Sequence, residues 1–171
     1  MNSKVKIFVV AVLVILANVA VDRFTKDLAQ EHLRDQGVVQ VVGDFFILRY
    51  AENGGAFLSL GSSLPEPWRF IILSAFPAIA LLAFFIYMIT RPYISVPWLV
   101  GLSCILGGGG SNVYDRLINN GYVIDFMNFG IGALRTGILN VADLSIVGGA
   151  ILLILTHNDP PLPVLEDDED A

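Results

Sequence analysis

Four stretches of the chain are long and almost wholly apolar. The first runs from Val5 to Val21 and is opened by Lys4 and Lys6. The second, Phe70 to Ile89, carries no charge. The third starts near Pro97, passes Cys104 and runs into Gly107–Gly110 and the polar set Asn112–Arg116. The fourth runs from about Gly137 to Leu155 and contains Asp143. A bilayer core is crossed by a helix of about 20 mainly apolar residues, so the pattern predicts four transmembrane helices. Trp68, Tyr87, Tyr93 and Trp98 stand at the ends of these stretches, where amphipathic rings favour the membrane interface. Pro77 lies inside the second, where lipid tolerates a kink. The first stretch also has the Lys-flanked start and small residues (Ala17, Ala20) of a cleavable leader. Three more apolar segments embed the chain in either case.

Between the first and second stretches lies the largest polar piece, Asp22 to Pro67. Asp22–Arg34 reads as a helical extension of the first span, with Asp22 and Lys26 four apart and able to pair. Val38–Val42 and Phe45–Tyr50 are short β-type runs broken by Gly43-Asp44, which predicts a hairpin or small sheet. Asn53-Gly54-Gly55 marks a turn. The expected fold is an all-α membrane protein: four transmembrane helices with a small extracytoplasmic β-type cap, as one domain over residues 1–158 with the cap at about 22–67. Pro160, Pro161 and Pro163 end the last helix, and residues 159–171 read as a disordered acidic tail.

Composition supports this reading. Of 171 residues, 55% are hydrophobic and 15% charged, and the mean hydropathy is +0.69. A soluble domain has about 25% charged residues. One cysteine excludes a disulfide scaffold. The net charge of −6 comes mostly from Glu166, Asp167, Asp168, Glu169 and Asp170, so the body is nearly neutral and lacks the basic face of a nucleic-acid protein. An inside N-terminus puts Lys4, Lys6 and Arg91 in the cytoplasm but Arg23, Lys26, Arg34, Arg49, Arg69, Arg116 and Arg135 outside. A simple positive-inside count does not support that orientation, unless the outside cations belong to a folded site.

The polar residues in and beside the last two spans carry the chemistry. Asn112, Asp115 and Arg116 share one helical face, Asn140 and Asp143 repeat the three-residue spacing, and Asp125 follows Gly121-Tyr122-Val123-Ile124. An ionised side chain at mid-bilayer costs at least about 2.5–3.5 kcal/mol and marks a functional site by default. The structural alternatives are Asp115 and Arg116 at headgroup level, Asp125 in a loop, and Asp143 favoured by a helix N-terminus. His32 and His157 lie away from this set, Cys104 sits in an apolar stretch as core packing, and no His/Cys metal motif occurs. Two close carboxyls cannot both ionise. One can then accept a proton from water while the other donates to a peptide carbonyl, which is aspartic-protease chemistry. A proton or cation carrier using Asp115, Asp125 and Asp143 is the rival, although such carriers often show internal repeats and none is seen here.

The residues resemble the lipoprotein signal peptidases (signal peptidase II). The likeness rests on Asp22-Arg-Phe-Thr-Lys26, Gly43-Asp-Phe-Phe-Ile-Leu48 leading to Glu52-Asn53-Gly-Gly-Ala-Phe57, Asn112-Val-Tyr-Asp115-Arg116, Gly121-Tyr-Val-Ile-Asp125-Phe126 and Asn140-Val-Ala142-Asp143. These run in order over about residues 5–157. The resemblance implies an intramembrane aspartic endopeptidase that cuts a diacylglyceryl-modified prolipoprotein just before its lipidated cysteine. It implies Asp125 and Asp143 as the catalytic pair and Asn53, Asn112, Arg116 and Asn140 as residues lining the substrate site. Arg116 would hold substrate carbonyls, Asp115 would orient Arg116, and Asp22 and Lys26 would support the site as a polar pair. It implies no metal or organic cofactor, a multi-pass protein of the bacterial inner membrane with both termini in the cytoplasm, and a site near the outer face. Substrate and membrane lipid are the expected partners, and nothing requires more than one chain. Ala56 and Phe57 come one residue earlier than the family spacing, which sets Glu52 against Asn53 for one position. Ser111 replaces a usual glycine, Asn128 a common acid and Leu139 a common phenylalanine. The segment Asp44–Gly61 is expected to close over substrate as a lid hinged at Gly54 and Gly55.

Overall fold

A computed structural model describes residues 3–56, 60–91 and 94–158. Tyr93 and the acidic tail lie outside the described residues. Four long helices and one small sheet make up the described residues. Helix α1 (Ser3–Leu33) is followed by strands β1 (Val38–Val42) and β2 (Phe46–Asn53). Helix α2 (Trp68–Thr90) and helix α3 (Val96–Ile118) come next. Strands β3 (Val123–Ile131) and β4 (Leu134–Arg135) lead into helix α4 (Val141–Leu155). Helices α1, over Val5–Leu33, and α2 are long and apolar enough to cross a bilayer; α4 is apolar but shorter.

The expected extension of the first span holds, because the helix continues through Asp22 without a break to Leu33. Helix α2 takes one π-turn at Ile71–Ala75, just before Pro77. A π-turn next to a proline is one way a helix absorbs the missing amide. The fourth apolar stretch is not helical from its start: residues 137–140 are not helix, Leu139 pairs with Met127, and the helix begins only after Asn140.

The sheet is antiparallel in the order β1-β2-β3-β4. Its first hairpin matches the expected one. Strand β3 is an addition to the expected sheet and lies between the third and fourth apolar stretches. Its register sets Ala51 opposite Asp125 and Asn53 opposite Val123. Phe126 and Met127 pack with Ala29 of α1, which ties the sheet to the helical bundle.

Helix α3 is the centre of that bundle. Its Leu99, Leu102 and Leu106 pack with Ala11 of α1 and Met88 of α2. Its glycine run lets the backbones approach, as small residues do between membrane helices. A Cβ on Gly107 would lie 2.8 Å from Asn18 of α1, one on Gly108 2.5 Å from the Ala142 carbonyl oxygen of α4, and one on Gly109 2.8 Å from Leu81 of α2. Burial is inverted relative to a water-soluble protein. Leu13, Leu16, Phe76, Ile79, Ile151 and Ile154 face outward, while Asp22, Lys26, Ser111, Asp115, Asp125 and Asn140 are buried.

Candidate active site

At one end of the bundle, the last turns of α3, the first turn of α4 and strands β2 and β3 surround a cavity of about 250 Å³. Asn53, Asn112, Arg116, Asp125 and Asp143 line it together with Pro77, Val113, Ile138 and Ile146. Two carboxylates and one guanidinium thus meet a largely apolar wall.

A pair of amides joins the two carboxylates. Asn140 donates from Nδ2 to Asp125 Oδ1 at 2.7 Å and to Asn112 Oδ1 at 3.1 Å. Asn112 donates from its own Nδ2 to Asp143 Oδ1 at 2.9 Å. Asn53 closes the second oxygen of Asp125 at 2.9 Å, and its Oδ1 accepts from the Gly55 amide at 2.9 Å. Asp125 is buried, and burial pushes its carboxyl from the ordinary 3.8 up to about 7. The neighbouring Asp143 charge adds to the rise, and the amides of Asn53 and Asn140 oppose it.

Asp143 also has a structural part. Asn140 caps α4: its Oδ1 accepts from the Asp143 amide at 2.9 Å, and the Asn140 amide donates to Asp143 Oδ2 at 3.2 Å. This is a capping box, reciprocal bonds that satisfy the first free amides of a helix. The helix start and the carboxylate position are therefore set by the same two residues.

Behind the amides lies a buried ionic cluster. Lys26 is fully buried and lies 2.7 Å from Asp22 Oδ2 and 2.8 Å from Asp115 Oδ2. Its ammonium also donates to Asn112 Oδ1 at 2.9 Å. With Lys26 and Asn140 both donating to Asn112 Oδ1, the Asn112 amide can turn only its NH₂ toward Asp143. Ser111 donates to Asp22 Oδ2 at 2.6 Å, and the Ala142 amide to Asp22 Oδ1 at 2.8 Å. Asp115 additionally pairs with Arg23.

The expectation that Asp115 orients Arg116 is therefore corrected. The two side chains leave α3 one residue apart, and Asp115 turns inward to Lys26 and Arg23. Arg116 instead donates to the Gly55 carbonyl at 2.7 Å and to the Asn112 carbonyl at 3.5 Å. Of Asn53 and Glu52, Asn53 is the one that lines the cavity. Glu52 turns outward and meets Tyr50 and Arg34, while Asn53 meets Asp125. The hinge positions are firmly held: Gly54 and Gly55 are buried, and Gly55 is bonded at both its amide and its carbonyl.

The sequence model described as Signal peptidase (SPase) II matches residues 14–158. The chain is 36% identical over 154 residues to the lipoprotein signal peptidase of Francisella tularensis subsp. novicida, covering 90% of this chain and 92% of the relative. It is 38% identical over 144 residues to that of Caldanaerobacter subterraneus subsp. tengcongensis, covering 84% and 92%. The chain belongs to the signal peptidase II family. Its fold matches two bacterial membrane enzymes solved by the in meso method. One has a TM-score of 0.75 at 23% identity and covers 95% of this chain and 94% of the other. The second has a TM-score of 0.74 at 22% identity, with 88% and 93% covered.

For this family member, sequence reasoning missed Arg23 and Ser111. Ser111 was visible only as a departure from the usual glycine, and its hydroxyl turns out to serve Asp22. Arg23 follows Asp22 directly and carries no spacing signal of its own. Only the fold brings it to a residue 92 positions away.

Proposed function

We propose that the chain is an intramembrane aspartic endopeptidase that removes the signal peptide of diacylglyceryl-modified prolipoproteins, cutting just before the lipidated cysteine. Asp125 and Asp143 are its catalytic pair, in a four-span protein of the bacterial inner membrane that acts as a monomer with its site near the outer face. The observation that carries this reading is the placement of both carboxylates on one cavity, each held by a side-chain amide and neither aimed at the apolar outer surface.

Burial favours the neutral form of Asp125, so it starts the cycle protonated. Asp143 accepts a proton from water as the water oxygen attacks the scissile carbonyl carbon, and Asp125 gives its proton to the carbonyl oxygen. On collapse, Asp125 takes that proton back and Asp143 passes the water-derived proton to the leaving nitrogen as the C–N bond breaks. The products are a peptide carboxyl group and a free amine on the lipidated cysteine. Asn112 and Asn140 keep both carboxyls oriented, Asn53 holds Asp125 from the sheet, and Lys26 with Asp22 and Asp115 supports Asn112. Arg116 holds substrate backbone carbonyls as it holds that of Gly55.

The substrate is concentrated by its own chemistry, since each buried acyl methylene contributes about 0.8 kcal/mol to membrane partitioning. The apolar lateral wall of the cavity suits a peptide arriving from lipid. Purified protein incubated with a diacylglyceryl-modified prolipoprotein is expected to yield a shortened product. Asp125→Asn and Asp143→Asn should each abolish the product while the chain still elutes as a folded species. Undiminished cleavage by either variant, or none by the parent, refutes the assignment.

A further inference from the structure

A second cavity, of about 420 Å³, opens between the start of α2 and the end of α3. Glu66, Arg69, Arg116 and Asn120 form its polar side, and Phe70 and Leu117 its apolar side. Arg69 is anchored by Glu66 at 2.8 Å and lies 5.3 Å over the Tyr122 ring. Arg116 lines both cavities, and its buried Nε has no hydrogen-bond partner among the described residues. The lining thus carries two guanidinium groups against one carboxylate, which is already engaged. Phe70 and Leu117 are half-exposed and continue into the outward faces of Ile71 and Ile118.

We propose that this cavity binds the phosphate headgroup of an anionic phospholipid between Arg69 and Arg116. Guanidinium pairs phosphate oxygens through parallel N–H donors, more strongly than they pair neutral acceptors. Basic pockets between membrane helices take lipid headgroups in this way. The acyl chains lie along Phe70, Leu117 and the outer faces beyond them, so the site is amphipathic in the sense a phospholipid needs. A neutral zwitterionic lipid gains less, because its own cation opposes the two arginines. Arg116 is common to both cavities, so the bound headgroup fixes the guanidinium that faces Asp125 and Asp143.

The test uses the full chain in neutral detergent with equal amounts of phosphatidylglycerol and phosphatidylcholine, read by native mass spectrometry. One phosphatidylglycerol per chain is expected to be retained, about tenfold in preference to phosphatidylcholine, the scale of one charge-assisted pair. Arg69→Gln should remove the preference. So should Asn120→Asp, which sets a negative charge at an exposed position whose backbone (φ 53°) aspartate accepts. This second variant answers the question if the first does not fold. Inorganic phosphate at millimolar concentration should leave lipid retention intact. Equal retention of the two lipids, an unchanged preference in Asn120→Asp, or displacement by inorganic phosphate overturns the proposal. None of these readouts depends on cleavage.

Discussion

Lys26 shows how much of the site depends on one side chain. It is fully buried, and its ammonium meets Asp22, Asp115 and the Asn112 side-chain oxygen Oδ1. Removing one member of a buried ionic cluster leaves the others uncompensated and costs about 3–5 kcal/mol. Lys26→Met is therefore expected to lower the unfolding midpoint in detergent by roughly 6–20 °C, at about 2–4 °C per kcal/mol for this size. Asp125 has the opposite sign. Its folded carboxyl titrates at about 7 against an ordinary 3.8, so the folded chain holds that proton more tightly than the unfolded chain. The stability this gives is fully present below about pH 4 and is lost as pH rises through 7. Asp125→Asn should thus unfold at a higher temperature than the parent at pH 8, with the gap closing at pH 4. An equal gap at both pH values would contradict the assignment of the proton to Asp125. The Asp22–Lys26 pair was legible from its four-residue spacing. The role of Asp115 was not, because spacing gives the face of a helix and not the partner that face meets.

Among the elements, α3 sets the geometry. Gly107, Gly108 and Gly109 each touch a different helix. Gly108→Ala would drive a Cβ into the Ala142 carbonyl at the turn that carries Asp143. Overpacking of this kind costs about 1–3 kcal/mol, and cleavage should fall with it as Asp143 is displaced. Gly110→Ala meets nothing within 4 Å and should match the parent in both thermal unfolding and cleavage. The helices and the first hairpin were readable from apolar runs and from Gly43-Asp44. Strand β3 was not: residues 123–128 are buried on both faces, so the polar alternation that betrays a strand is missing. The place of Asp143 at a helix start was legible from the apolar run after it, but the extended residues 137–140 before it were not, for a related reason. Apolar residues continue across the Asn140 cap, and apolarity alone does not distinguish extended Ile138-Leu139 from the helix that follows.

For the whole molecule, five of the seven cations that count against an inside N-terminus, Arg23, Lys26, Arg34, Arg69 and Arg135, are paired with acids at the sheet end of the bundle. In a four-span topology, His157 and Asp44 fall on opposite sides of the bilayer. With Cys104 replaced by serine, His157→Cys and Asp44→Cys are expected to react with an impermeant maleimide from opposite faces of sealed vesicles. Labelling of both from one face would exclude that topology. The brevity of α4 bears on how water arrives. Fifteen residues rise about 22 Å, some 8 Å short of a typical hydrocarbon slab. In the four-span reading proposed above, lipid around its first turn thins into a shallow dimple. On that reading, a signal helix drifting toward the depression would meet moisture and the paired acids at the same depth, where its own last turn leaves its oily surroundings.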